Sequence, residues 1–294
     1  MSAPTLSIVI AVKESHANLA AIAERLDAPP EIEIIYVFAG MPKSDWRMPD
    51  RARLVVAEAS MLIPHLWRDG IMQAGGTAVA LLSAHCVPAP DWVDQLLSAD
   101  LHSYVGVGGA IGLDPRCSAL HRAIYLLRYL RFAPPFQARS VDDIAADNSI
   151  YRRSALLGHA DLLAQGFWEP SFHRRFTRSG LRMSLDPRLR VDYRGRESGV
   201  AFARQRCEHG CEYGASRAAG RPLLRRLAFV ALSPLAPLAI LGRIILRASC
   251  RIEYAASLVV ALPWLAWFLG AWSLGEARGY LKALMSSDAE SAVH

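Results

Sequence analysis

Along the first half of the chain, short apolar runs alternate with amphipathic stretches. Leu6 to Val12 is almost continuously apolar and rich in β-branched side chains, and Lys13-Glu14-Ser15 ends it. Such a run predicts a strand buried on both faces. Leu19, Ile22, Ala23 and Leu26 then recur at helical spacing, with Ser15 available as a cap and Pro29-Pro30 as the break. Glu31 to Phe38 is a second strand closed by Gly40, and Leu54-Val55-Val56 is a third. Pro64 to Ala74 carries Leu66, Gly70 and Ile71 on one side of a helix, which Gly75-Gly76 ends. Val79 to Leu82 is the next strand, and it stops at Ser83-Ala84-His85. Strands alternating with helices predict an α/β fold: a Rossmann-like, mostly parallel sheet flanked by helices. Ligands of such sheets bind outside the carboxyl ends of the strands, which singles out Ser83, Ala84 and His85. An ordinary strand-to-helix connection has the same pattern.

After Trp92 the alternation changes. Val93, Leu96 and Leu97 continue a helix. Tyr104 to Leu113 is glycine-rich and β-like, suited to close backbone approach but lacking the spacing of a dinucleotide fingerprint. Residues 114–146, with Pro134-Pro135, read as an irregular, mobile loop. Asp147 to Arg153 leads into a helix through Leu157. In Gly166-Phe167-Trp168-Glu169-Pro170 the proline suits the first turn of a helix that carries Phe172, Arg175 and Phe176 and ends at Gly180. Glu169 sits at its cap, beside backbone N–H groups that favour a carboxylate, as a general base requires. A surface glutamate opening a helix fits the same pattern. Leu181 to Val191 reads as one more strand pair. Phe202 to Ala219 reads as a helix with Arg204, Arg206 and Arg217, which hold phosphates or face solvent.

The tail is different. Residues 254–275 contain no charged side chain and reach ~33 Å as a helix, against a hydrocarbon core of ~30 Å. This predicts a membrane span, with a buried core helix as the alternative. Leu227 to Gly242 is also uncharged but reaches only ~24 Å and contains Pro234 and Pro237, so it spans or lies in the interface. The domains expected are residues 1–220, a membrane-associated hairpin at 221–280 and a disordered tail at 281–294. Arg217, Arg221, Arg225, Arg226, Arg278 and Lys282 flank the two segments, against Arg243, Arg247 and Arg251 between them. That bias favours the inner (cytoplasmic) membrane with the main domain in the cytoplasm.

Composition narrows the partners. The 294 residues carry a net charge of +6 and a mean hydropathy of +0.18. Arginine far outnumbers lysine, but no basic tract interleaves with aromatics, which argues against nucleic acid. Five scattered cysteines argue against a disulfide framework. Cys207 and Cys211, one helical turn apart beside His209, read as buried thiols rather than a metal site.

Taken in order, these signals resemble the family 2 inverting glycosyltransferases of GT-A fold, from residue 5 to about 219. The resemblance rests on Ser7 to Val12, Pro64-His65-Leu66-Trp67-Arg68-Asp69-Gly70-Ile71, Leu82 to Pro88, and Gly108-Gly109. Asn148-Ser149-Ile150-Tyr151-Arg152-Arg153, and Trp168-Glu169 with Phe172, Arg175 and Gly180, complete it. It implies Glu169 as the base that deprotonates an acceptor hydroxyl. It implies Ala11, Val12, Glu14, Asp69, Ser83, Ala84 and His85 on the nucleotide-sugar, and Gly109, Asn148, Trp168, Arg175 and Arg206 on the acceptor and phosphate side. The family's Asp-x-Asp motif, which holds Mg²⁺ or Mn²⁺ on the donor diphosphate, is here Ser83-Ala84-His85. That leaves His85 as the one metal ligand there and no carboxylate. The second strand likewise ends in Val37-Phe38-Ala39-Gly40, without the family's aspartate.

The activity implied is sugar transfer from a nucleotide-sugar to a lipid-linked or membrane-presented acceptor in envelope polysaccharide or glycolipid synthesis. The competing expectation is a non-catalytic GT-A scaffold in a polysaccharide-synthesis complex, motivated by the missing acids.

Overall fold

The computed structural model describes residues 4–14, 16–26, 29–218, 221–233, 235–249 and 252–291. Ser15, expected as a helix cap, Pro234 of the shorter apolar stretch, and Arg251, counted in the charge bias, lie outside them. The chain divides into two compact units, Met1–Pro115 with Arg131–Arg196, and Arg116–Leu130 with Glu197–His294.

The first unit holds one nine-stranded sheet. Its strands are β1 (Leu6–Val12), β2 (Ile32–Ala39), β3 (Ala52–Ala57), β4 (Ala78–Ser83), β5 (Cys86–Pro88), β6 (Gly106–Leu113), β7 (Arg139–Val141), β8 (Asn148–Arg152) and β9 (Met183–Tyr193). Their order is β3-β2-β1-β4-β8-β6-β9-β5, with β7 also on β9. The first four are mutually parallel, as the alternating pattern predicts, and β6 and β9 share their direction. β8, β5 and β7 run the other way. β1 is buried throughout, consistent with its unbroken apolar run. The helices of this unit are α1 (Leu19–Arg25), α2 (Ile63–Gln73) and α3 (Trp92–Leu97), then, after α4 (Ala119–Arg128) of the other unit, α5 (Arg153–Leu157), α6 (Ala160–Leu163) and α7 (Glu169–Arg178).

Two expectations are corrected. Residues 114–146 are not one irregular loop: they contain α4, whose first turn is capped by Ser118 accepting from the N–H of His121. Leu181 to Val191 is not a strand pair but the single long strand β9. Its ladder with β6 jumps from Gly109 opposite Asp186 to Ala110 opposite Arg190, so the Pro187 region bulges without ending the strand. Asp147 to Arg153 leads into α5, Arg153–Leu157, as expected. β8 comes first, wedged antiparallel between β4 and β6.

The second unit is helical: α4, α8 (Gly199–Ala218), α9 (Leu223–Leu232), α10 (Leu235–Ser249) and α11 (Ile252–Ser291). Within this unit α8 packs on α11 backbone to backbone. A Cβ built at Gly275 would lie 1.9 Å from the carbonyl oxygen of Cys207, and one at Gly210 would lie 2.3 Å from that of Trp272. Glycines four apart on each helix, Gly210 with Gly214 and Gly275 with Gly279, permit this approach. α11 is described as far as Ser291, and residues 292–294 lie outside the described set. Glu253–Lys282 is long and apolar enough to cross a bilayer, with a mean hydropathy of 1.7. α9 and the Pro237–Ala248 part of α10 pass the same test only as a pair bent by 52°.

Candidate functional site

The site is built where β1, β4 and β8 end or begin together. Ala11 lies opposite Ser83 in the parallel ladder, and the Ala84 N–H donates to the Ala11 carbonyl at 2.9 Å. The loop after β1 therefore opens beside Ser83-Ala84-His85. Ala11 and Val12 are buried, while Glu14 is exposed. The turn after β4 is pinned by Asn18, whose Nδ2 donates to the Ala84 carbonyl at 2.8 Å and the Arg194 carbonyl at 2.9 Å. The Arg194 N–H donates to the His85 carbonyl at 2.7 Å.

β8 crosses from the other side. Leu82 pairs with Asn148 in the antiparallel ladder, so the preceding residue, Asp147, stands opposite Ser83. The Ser83 hydroxyl donates to Asp147 Oδ1 at 2.5 Å, and both side chains are buried. Asn148 is fully buried. It accepts from Trp92 Nε1 at 2.8 Å and donates to the carbonyls of Ala110 and Leu189, each at 3.0 Å. Gly109 is required beside it, because a Cβ there would lie 1.9 Å from the Leu189 oxygen and 2.3 Å from Asn148 Nδ2.

α7 delivers Glu169. Gly166 adopts φ +105°, which turns the chain into the helix. The Phe167 N–H then donates to the Pro64 carbonyl at 2.8 Å. The inward face of α7 is Phe172, His173 and Phe176, all buried. Phe167 and Phe172 pack with ring centroids 4.7 Å apart, and Phe167 also meets Tyr151 and Trp67 edge-on. At the head of the helix, Glu169 Oε1 accepts the Ala146 N–H at 2.5 Å. Residues 146 and 147 thus join the α7 carboxylate to the end of β4.

One turn further along α7, the buried His173 links a buried tyrosine to a half-buried carboxylate. Its Nε2 meets the Tyr151 hydroxyl at 2.9 Å, and its Nδ1–H donates to Asp143 Oδ1 at 2.6 Å. Arg131 pairs with the other Asp143 oxygen at 2.5 Å. Burial pushes the Asp143 carboxyl up, but the bonds from His173 and Arg131 outweigh it and hold the group below the ordinary carboxylate range. Burial, then the charge of Glu169, push the Tyr151 phenol well up, so it stays protonated.

Other predicted site residues have local partners. Trp168 Nε1 donates to the Gln165 carbonyl at 2.9 Å, and its ring meets His65 edge-on. Arg175 pairs with Asp161 at 3.0 Å on the surface, and Asp69 pairs with its neighbour Arg68 at 2.7 Å. Arg206 belongs to the second unit, where its guanidinium lies 4.3 Å from the Trp272 ring centroid. Asp147 and the Asp143–His173–Tyr151 chain were absent from the sequence-based candidates. Asp147 is signalled only by the placement of β8 opposite β4, and the chain only by the packing of α7 against Tyr151.

Among the described residues, no three His, Cys, Asp or Glu side chains are arranged to hold a metal ion. The donors that β4 and β8 bring to this end of the sheet are the Ser83 hydroxyl, the His85 imidazole and the Asp147 carboxylate. Hard divalent cations take oxygen donors.

No protein-family profile and no curated protein matches this chain. Solved structures do. One is the mannosyltransferase PcManGT from Pyrobaculum calidifontis, in complex with GDP-Man and Mn²⁺. It is 16% identical, with a TM-score of 0.51 over 97% of this chain and 88% of that one. The chain therefore shares its fold with a nucleotide-sugar-dependent glycosyltransferase.

Proposed function

We propose that this protein is an inverting, family 2-like glycosyltransferase. It moves a sugar from a nucleotide-sugar to a lipid-linked or membrane-presented acceptor in envelope polysaccharide or glycolipid synthesis. The observation that carries the reading is the junction of Glu169 with the end of β4, through Ala146 and Asp147. The shared fold with a mannosyltransferase solved with GDP-Man and Mn²⁺ supports it.

In this reading the nucleotide-sugar lies beside Ala11, Val12, Glu14, Asp69 and Ser83 to His85. Glu169 takes the proton of the acceptor hydroxyl as its oxygen attacks the anomeric carbon. The bond from that carbon to the diphosphate breaks on the opposite side, which inverts the configuration. His85 would be the ligand of a divalent cation here, and such a cation would supply charge neutralisation for the departing diphosphate. Trp168 and Arg175 serve the acceptor and phosphate side, while Gly109 and Asn148 hold the sheet behind it. The apolar helices of the second unit keep the enzyme at the inner membrane, with the sheet domain in the cytoplasm.

A second reading, a non-catalytic scaffold, is favoured by Ser83 and His85 standing where the family carries acids. Titration calorimetry with the diphosphates of guanosine, uridine, adenosine, cytidine and thymidine, each with Mg²⁺ and Mn²⁺, separates the two. The transferase reading expects micromolar binding of at least one, and the scaffold reading expects none.

A further inference from the structure

We propose that the helical unit rests on the surface of an anionic bilayer, with α11 lying in the membrane plane rather than crossing it. This rests on the membrane part of the reading above and not on sugar transfer. Length and composition alone would let α11 span, but its neighbours within the unit are wrong for a span. Its buried face recurs every three or four residues, at Tyr254, Leu258, Ala261, Leu265 and Phe268. Gly199, the first residue of α8, lies against Trp264 and Trp267, midway along the uncharged stretch 254–275, and against Leu120 in the first turn of α4. Two helices therefore begin beside the middle of α11. The backbone leading into α8 there is irregular and polar. The buried Glu197 pairs with Arg128 at 3.8 Å, and its carbonyl meets His121 Nε2 at 3.2 Å. In a span this loop and these groups would sit at the bilayer centre, where irregular backbone and ionised side chains are costly. Further charges flank the same stretch: Arg122 donates to the buried Ser257 hydroxyl at 2.7 Å, and Arg206 lies 4.3 Å from the Trp272 ring centroid.

The other face of α11 is apolar and open. Val259, Val260, Leu262, Trp267 and Leu274 are exposed, a stripe ~22 Å long at the rise of an α-helix. α9 and α10, which pack on α11, expose Leu224, Leu227, Leu238 and Leu246. Charge selects the occupant of these faces. Residues 221–249 contain five arginines and no acid, and Arg225, Arg243 and Arg247 are exposed on the same two helices as the leucines. Exposed leucines interspersed with arginines and no carboxylate suit a helix seated at the headgroup level of anionic lipid. A second copy of the chain would bring the same arginines to the contact, and like charges disfavour that pairing.

The test uses the full-length protein in sealed membrane vesicles from the cells that make it. Glu253→Cys and Lys282→Cys place a thiol at exposed positions toward the two ends of the apolar stretch of α11. A membrane-impermeant polyethylene-glycol maleimide then scores each variant as one tag more than the unaltered protein. The expected result is that both extra tags are added from the same face of the vesicle. Tags added from opposite faces mean that α11 spans, and overturn the proposal while the transferase reading stands. A second measurement reads the surface itself. The purified protein is sedimented with vesicles of phosphatidylcholine, with and without phosphatidylglycerol, alongside the double variant Arg243→Gln with Arg247→Gln. Binding to the mixed vesicles is expected to weaken roughly tenfold in the double variant, with an unchanged thermal midpoint. Equal binding of the two proteins overturns the proposal. Binding of neither protein to either vesicle overturns it together with the membrane part of the proposed function, and leaves the role of Glu169 untouched.

Discussion

Glu169 Oε1 accepts the backbone N–H of Ala146 at 2.5 Å, which ties the head of α7 to the segment entering β8. The bond separates two substitutions that differ by only a few atoms. Glu169→Gln retains a carbonyl acceptor, so its unfolding midpoint should match that of the unaltered protein. Glu169→Ala leaves a part-buried N–H without this acceptor and should lose about 1–2 kcal/mol. Chemical denaturation of the three proteins, followed by tryptophan fluorescence, measures the difference.

Asn148 offers a sharper test of the sheet centre. Its Nδ2 donates to two carbonyl oxygens on different strands, Ala110 and Leu189. Asn148→Asp keeps the shape but turns an oxygen toward those carbonyls in a fully buried place. The expected cost is about 3 kcal/mol or more, seen as a large fall in the thermal midpoint. A silent substitution would mean that β6, β8 and β9 are not joined in this way.

In the second unit, burial pushes the His209 imidazole down to about 4, helped by the charges of Arg206 and Arg128. An unfolded histidine titrates near ~6.5. Between these values the unfolded chain binds the proton and the folded one does not, so stability is full above about pH 6.5 and is lost as the pH falls toward 4. His209→Gln should flatten that limb of the stability–pH curve. Denaturation midpoints measured from pH 4 to pH 8 check the slope.

Much of the parallel half of the sheet is legible in the chain alone, because β1, β2 and β4 are short apolar runs with polar stops. The start of α7 is legible too, since Gly166 and Pro170 bracket it. The antiparallel half is not. β8 is five residues long and runs into two arginines, so it carries no period of its own. β9 hides behind Pro187, which reads as a break and turns out to be a bulge. Position 147 is illegible for a related reason: its meaning comes from the residue across the ladder, and only strand pairing reveals that Ser83 is that residue. His173 reads as one more polar position on an amphipathic helix until Tyr151 and Asp143 are placed around it.

The central claim is chemical: Glu169 drives sugar transfer at the mouth of β4. The most direct measurement is the rate of sugar transfer from a panel of nucleotide-sugars to membrane lipid acceptors, comparing the unaltered protein with Glu169→Gln. Transfer from at least one donor is expected, with a fall of roughly 10²–10⁴-fold in the variant while nucleotide binding stays intact. Equal turnover in the two proteins, or no transfer from any donor, would contradict the claim.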